Sequence, residues 1–430
     1  MIEKIDELDD FFLSYMPVGG STGAIRDCRL DRMVRLLREF GNPEESLKLY
    51  HLAGSKGKGT TAEMLSVLLE ADGHRTGLFM SPHVYDLRER FTLSGRFFQD
   101  EEYIRAANIL EKGLEDSTLY FRPTTFELYT LYAYILFRET GCEYAVIETG
   151  MGGRLDATNT ITPIASIQMP IELEHTNVLG STIAEIATEK SKIIKPHRPV
   201  YMAVNSEEAE EVFISEALQN ESPIHPARLE IENFQHIENR NENFLSFDID
   251  GDHYELNPRL HSDAIAQNMA LSILIARREG FLTDKGIKAL EELVMPGRFE
   301  ERTIGGRKVI LEVAHTARSV ENALESFERI YGRNPDYTCI FGAVEGKDYQ
   351  SMTDEILRVF DNLIISSPGT FKKTNIEEIY AYARKRGGIH RKTTLMENAG
   401  DALRFALRSS EVILIIGSFY LVGQFGELNA

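Results

Sequence analysis

The residue types best suited to chemistry lie in His51-Leu52-Ala53-Gly54-Ser55-Lys56-Gly57-Lys58-Gly59-Thr60. An apolar run precedes this stretch and a helical pattern follows it. Backbone N–H groups and a helix dipole would therefore converge on the loop and cradle phosphates. Lys58 would supply a charge and Thr60 a hydroxyl facing Mg²⁺. The spacing is one residue off G-x-x-x-x-G-K-[ST], because Gly59 separates Lys58 from Thr60. Further on, Glu148 ends an apolar run and precedes a glycine-rich stretch. That places its carboxylate in the crevice where open α/β sheets bind ligands. Mg²⁺ takes hard oxygen ligands together with substrate phosphates, and Thr60, Ser81 and Glu148 are of that type. Taken alone, His175 reads as a surface histidine and Lys190 as a cation favoured at a helix C-terminus by the dipole. Asp156 and Asn159 read as turn formers.

Strands must end at these residues for them to meet. Residues 49–53, 76–80, 144–148, 164–168 and 199–204 read as strands, alternating with helical patterns at 59–72, 100–113 and 125–139. This alternation is the signature of βαβ units on a mostly parallel sheet. Residues 226–255 change to short alternating segments with Asn and Gly turns, expected to form an antiparallel insert. Two helical patterns follow at 263–279 and 284–294, and Met295-Pro296-Gly297 then breaks the chain. Strands are expected again at 308–313, 338–341, 362–366 and 412–416. The fold class read from this is α/β: a P-loop-type, mostly parallel sheet domain over residues 1–296, and a smaller C-terminal α/β, Rossmann-like domain over residues 297–430.

Composition narrows the function. The 430 residues, 43% of them hydrophobic, are enough for two or three cored domains. A net charge of -20 repels a phosphate backbone, so no nucleic-acid partner is expected. No run reaches the roughly 18 apolar residues of a membrane span, and the start lacks a signal-peptide pattern. A cytoplasmic protein is expected. Cys28, Cys142 and Cys339 are far apart, which argues against a disulfide framework or zinc site.

The loop, with its extra glycine, resembles G-T-N-G-K-G-[ST] of the folylpolyglutamate synthase/dihydrofolate synthase family in the Mur ligase superfamily. Phe79-Met80-Ser81-Pro82-His83 with Arg88-Glu89-Arg90-Phe91 resembles the family's T-S-P-H and R-E-R-I block. The segment from Glu148 through Gly152-Gly153-Arg154-Leu155-Asp156-Ala157-Thr158-Asn159 is similar to E-V-G-L-G-G-R-L-D-A-T-N. His175-Thr176, Leu179-Gly180, Glu189-Lys190 and Gly417-Ser418-Phe419-Tyr420-Leu421-Val422-Gly423 follow in the family's order.

The resemblance implies an ATP- and Mg²⁺-dependent ligase that joins L-glutamate to a folate or pteroate carboxylate through an acyl phosphate, working as a monomer on small molecules. It implies nucleotide contacts from Gly54, Gly57, Lys58, Gly59, Thr60, Asn268, Arg298 and Glu312, and catalytic parts for Lys58, His315 and Lys190. It implies Mg²⁺ ligation by Thr60, Ser81, Glu148, His175 and Lys190, the last as a carbamate.

The sequence departs from the family pattern at Lys56 (usually Asn), Glu174 (usually Asp), Lys192 (usually Gly) and Glu312-Val313-Ala314-His315-Thr316-Ala317 (usually D-G-A-H-N-P). On this reading Lys56→Asn restores the family residue and leaves activity intact or raised. Two other readings stay open: a Mur-superfamily ligase for a non-folate acid, and a nucleotide-binding protein that has lost ligation.

Overall fold

The computed structural model describes residues 1–16, 30–370, 372–389 and 391–426. Cys28 lies outside the described residues, while Cys142 and Cys339 are buried free thiols. Leu49-Tyr50-His51-Leu52-Ala53 is buried on both faces of a sheet, which is why it reads as an unbroken run instead of an alternating one. It belongs to β1 (Lys48–Ala53), the middle of a seven-stranded sheet. The other strands are β2 (Thr76–Phe79), β3 (Phe91–Leu93), β4 (Tyr144–Glu148), β5 (Ala165–Gln168), β6 (Val200–Met202) and β7 (Ile224–Pro226). Their order is β3-β2-β4-β1-β5-β6-β7, and every pairing is parallel except β2 with β3.

Helix Lys58–Ala71 packs on one face of this sheet beneath helices Asp263–Glu279 and Asp284–Glu292, forming one core. Enclosed on both sides, it is buried almost all round and shows little amphipathic patterning. Helices Asp100–Asp116 and Thr125–Glu139 cover the other face with an aromatic-rich core. Thr124 starts the second of them with a capping box to Glu127.

The insert is a separate antiparallel sheet, β10-β9-β8, formed by β8 (Glu232–Asn239), β9 (Glu242–Ile249) and β10 (Asp252–Leu256). It starts later than expected. Pro226 belongs to β7, because a parallel edge strand tolerates proline at its end. After Met295 comes a six-stranded sheet, β11-β12-β16-β13-β14-β15. Its strands are β11 (Glu300–Ile304), β12 (Arg307–Glu312), β13 (Thr338–Phe341), β14 (Asn362–Ile365), β15 (Lys392–Leu395) and β16 (Val412–Ile416), parallel except for β11. The architecture is the expected α/β. C-terminal strand ends of both parallel sheets meet at one cleft: β1, β4 and β5 from the first, β12, β13 and β16 from the second. Among the described residues no helix is long and apolar enough to cross a membrane.

Candidate functional site

The loop after β1 turns into its helix at Gly57, which is the N-cap with φ 81°, a left-handed conformation that a side chain would strain. A Cβ there would also stand 2.9 Å from Asn268 Nδ2, so glycine lets the helix Asp263–Glu279 press its amide against the loop. Gly59, the residue that breaks the familiar spacing, has a different reason. A Cβ on it would lie 3.3 Å from Glu148 Oε2, and its absence lets a strand-end carboxylate approach the helix N-terminus.

Lys58 folds back over the loop, donating to the Gly54 carbonyl at 3.0 Å and lying 3.7 Å from Glu148 Oε1. Glu148 accepts from the backbone N–H of Ser81 at 2.9 Å, and the Ser81–Pro82 peptide is cis. Burial raises the Glu148 pKa, with Lys58 and the Ser81 N–H opposing. A carboxylate so short of water favours a cation beside it. Among the described residues no cluster of three or more His, Cys, Asp or Glu side chains encloses a metal. A Mg²⁺ that keeps waters and phosphate oxygens needs no such cage. Glu148 with the hydroxyls of Thr60 and Ser81 fits that smaller demand.

Lys190 is not the exposed helix-end cation of the simple reading. It is 1% exposed, and its Nζ donates to the Gly54 carbonyl at 2.8 Å and to Glu174 Oε1 at 2.9 Å. Burial first, and Lys58 second, pull its pKa down to about 8 against the pull of Glu174. Burial alone would raise the Glu174 carboxyl, but Lys190 and Lys58 hold it below its ordinary value. His175 stands exposed beside Glu174 with φ 47°. As an amine Lys190 is a hydrogen-bond donor, so ligating a metal with His175 requires its conversion to a carboxylate-like group. Asp156 accepts from Met151 N, Thr158 N and Thr158 Oγ1, and Asn159 ties Arg154 and Lys192 carbonyls to Lys195. Both serve the loop, as turn formers do.

The second sheet supplies the opposite wall. Glu312, at the end of β12, accepts from Phe299 N at 2.9 Å and Ala314 N at 2.8 Å. Its carboxylate thus fixes the turns that carry Arg298 and His315. Arg298 stacks over the Phe419 ring at 5.5 Å and lines a cavity with Gly59, Ser81, Pro82 and Glu148. His315 Nδ1 lies 3.0 Å from the Val313 carbonyl, an acceptor only, so Nδ1 carries the proton and Nε2 is the free acceptor. Desolvation, then Lys56 and Lys347, bring its pKa down to about 3. A ring that weakly basic offers an acceptor in the cleft rather than a place to store a proton. Asn268 and Gln267 line a further cavity of about 150 Å³ with Pro170, Ala203, Val204, Ile231 and Phe234.

The structure therefore gathers the loop residues, Ser81, Glu148, Glu174, Lys190, Asn268, Arg298, Glu312 and His315 around one cleft, with His175 at its rim. Residue-level reasoning missed three groups there. Arg90 donates to His83 Nδ1 at 2.9 Å and lies over the Tyr129 ring. Glu63 is buried on the loop's own helix. Lys347 projects from the loop after β13. Arg90 falls in the R-E-R block and Lys347-Asp348 matches a K-D of the family pattern, whereas nothing in the sequence signals the burial of Glu63.

The family model for the Mur ligase middle domain matches residues 52–276, and that for the Mur ligase glutamate ligase domain matches residues 297–419. A dihydrofolate synthase/folylpolyglutamate synthase of Bacillus subtilis is 31% identical over 411 residues, covering 92% of this chain and 93% of the relative. The chain belongs to the dihydrofolate synthase/folylpolyglutamate synthase family of Mur ligases. A crystal structure of the folylpolyglutamate synthase of Thermotoga maritima matches it with a TM-score of 0.83 at 25% identity, covering 99% of this chain and 98% of that one. The Mycobacterium tuberculosis folylpolyglutamate synthase complexed with ADP shares the fold, with a TM-score of 0.86 at 23% identity and the same coverage.

Proposed function

We propose that this chain is an ATP- and Mg²⁺-dependent ligase that joins L-glutamate to the carboxylate of a folate or pteroate through an acyl phosphate. The observation that carries this reading is the end-to-end match to a relative of that activity, together with Lys58 and Glu148 meeting over the Gly54–Thr60 loop. The nucleotide base takes the largely apolar cavity beside Asn268, and its phosphates lie on the loop N–H groups. Thr60, Ser81 and Glu148 would hold Mg²⁺, which would neutralise phosphate charge there.

Lys58 and Arg298 face the transferring phosphoryl group from opposite walls, where charge spreads in the transition state. The acid carboxylate attacks the γ-phosphorus and ADP leaves. The glutamate amine then attacks the acyl carbon and phosphate departs. Residues 1–296 and 297–430 act as two bodies hinged at Met295-Pro296-Gly297-Arg298, and their closure keeps water from the acyl phosphate. Carbamylated Lys190, with His175, would hold a second Mg²⁺.

The changed segment at 312–317 keeps a carboxylate and an imidazole in the cleft, which favours a working site over a decayed one. The enzyme works in the cytoplasm as a monomer, since one chain supplies both walls. The test is product mass with ATP, glutamate and either tetrahydrofolate or dihydropteroate. A gain of one glutamyl unit supports the reading, and no gain with either acid rejects it.

A further inference from the structure

The charges of the cleft do not balance. Its acidic groups are already engaged, apart from Glu63, whose carboxyl burial pushes up to about 8. Glu148 faces Lys58 and the Ser81 N–H, Glu174 faces Lys190, Glu172 lies 3.8 Å from Arg318, and Glu312 takes two backbone N–H groups. Lys58 and Lys190 are engaged as well. Lys56, Lys347 and Arg298 are left over: each is half-buried, and none of their charged groups has a hydrogen bond or ion pair among the described residues. They come from three separate elements, yet all three act on the His315 ring. A chain of net charge -20 has ample carboxylates to pair with cations. Three partly desolvated cations that converge on His315 with no hydrogen bond or ion pair of their own therefore mark the seat of an anion.

The position of Lys56 says which part of the anion it meets. Its own amide donates to the Pro170 carbonyl at 3.3 Å, and Pro170 lines the cavity beside Asn268. On the other side Gly59, Ser81, Glu148 and Arg298 line the cavity of phosphoryl transfer. Lys58 turns inward to the Gly54 carbonyl and Glu148, whereas Lys56 is acted on by Glu172, Glu174, Lys347 and, least, Lys58. The Lys56 backbone thus stands between the base cavity and the transfer cavity, where the first two phosphates of a nucleoside triphosphate must run.

We infer that Lys56, with Lys347 facing it from the second sheet, grips the diphosphate of the nucleotide and stabilises the charge that collects on it as the γ-phosphoryl group departs. This rests on the ligase reading above and adds to it a specificity-determining contact that a neutral asparagine at this position could not make. It also reverses the expectation, drawn from the family pattern alone, that Lys56→Asn is harmless.

The test is calorimetric binding of ADP and AMP to the full-length wild type, Lys56→Asn and Lys56→Arg, with turnover measured alongside. One lost charge-assisted contact weakens binding by about 10-fold or more. Lys56→Asn should lose about that much affinity for ADP, at least about five-fold more than it loses for AMP, and should slow turnover by a similar factor or more. Lys56→Arg, which keeps the charge, should bind ADP more tightly than Lys56→Asn. An ADP loss that does not exceed the AMP loss by about five-fold overturns the inference, because a diphosphate contact must discriminate between these ligands. Equal ADP affinity in the Asn and Arg variants overturns it too. Because binding needs no acid or amine, wild type that binds ADP but makes no glutamyl product would fail the ligase reading while leaving this inference standing.

Discussion

Lys190 allows the sharpest numerical prediction. A carbamate forms only on a neutral amine, and the structure lowers the Lys190 pKa to about 8 by burying it beside Lys58. At pH 7 such a group is neutral in about one molecule in ten, against roughly one in 2,500 for a free lysine of pKa ~10.4. The site thus favours the reactive form by about 200-fold. Between pH 7 and pH 8.5 the neutral fraction rises about eight-fold, to roughly three quarters. The assay is carbon-13 NMR at fixed dissolved ¹³CO₂ on wild type and on Lys190→Ala. A carbamate resonance should appear at pH 8.5, shrink at pH 7 and be absent from the variant, and depleting CO₂ at pH 7 should lower turnover. No resonance at pH 8.5 in a preparation that is turning over would refute the reasoning.

Three further outcomes follow from the same geometry. Lys58→Ala removes the charge that meets the transferring phosphoryl group and should cost at least about 10²-fold in turnover; more than a third of wild-type rate would exclude that role. His315→Ala should damage turnover while leaving nucleotide affinity measurable, because the phosphate loop is untouched; the two are separated by steady-state kinetics and ADP titration. Glu63 is 4% exposed, and burial raises its pKa to about 8, so the folded state binds a proton that the unfolded state releases above its ordinary value of 4.5. Stability then falls as pH rises from 4.5 towards 8, and Glu63→Gln should gain about 3 kcal/mol at pH 7 but under about 1 kcal/mol at pH 5. Urea unfolding at both pH values checks this, and an equal gain at both would contradict it.

The strands that carry the site were legible because a buried parallel strand is a continuous apolar run that stops at its functional residue, as β4 stops at Glu148. The edge strands were not. β11, Glu-Glu-Arg-Thr-Ile, and β15, Lys-Thr-Thr-Leu, are only partly buried and are polar, as edges must be to avoid pairing with other chains. β3 spans only Phe91–Leu93, too short to show a period.

Within the site, residue identity was legible and environment was not. Lys190 at a helix end suggests a solvated cation; its burial comes from the Gly54 carbonyl and Glu174, contributed by loops 136 and 16 residues away in sequence. The role of Gly59 likewise emerges only when β4 brings Glu148 alongside it. Lys56 looked like drift from a family pattern because its unpaired state depends on which acids across the cleft already have partners.

The central claim is that this cleft couples ATP cleavage to amide formation. Its most direct measurement is phosphate release with MgATP as acid and amine are supplied separately and together. The account predicts sustained release only when L-glutamate accompanies tetrahydrofolate or dihydropteroate, matched one-for-one by glutamyl product. Sustained release without glutamate, or none with either acid present, would contradict it.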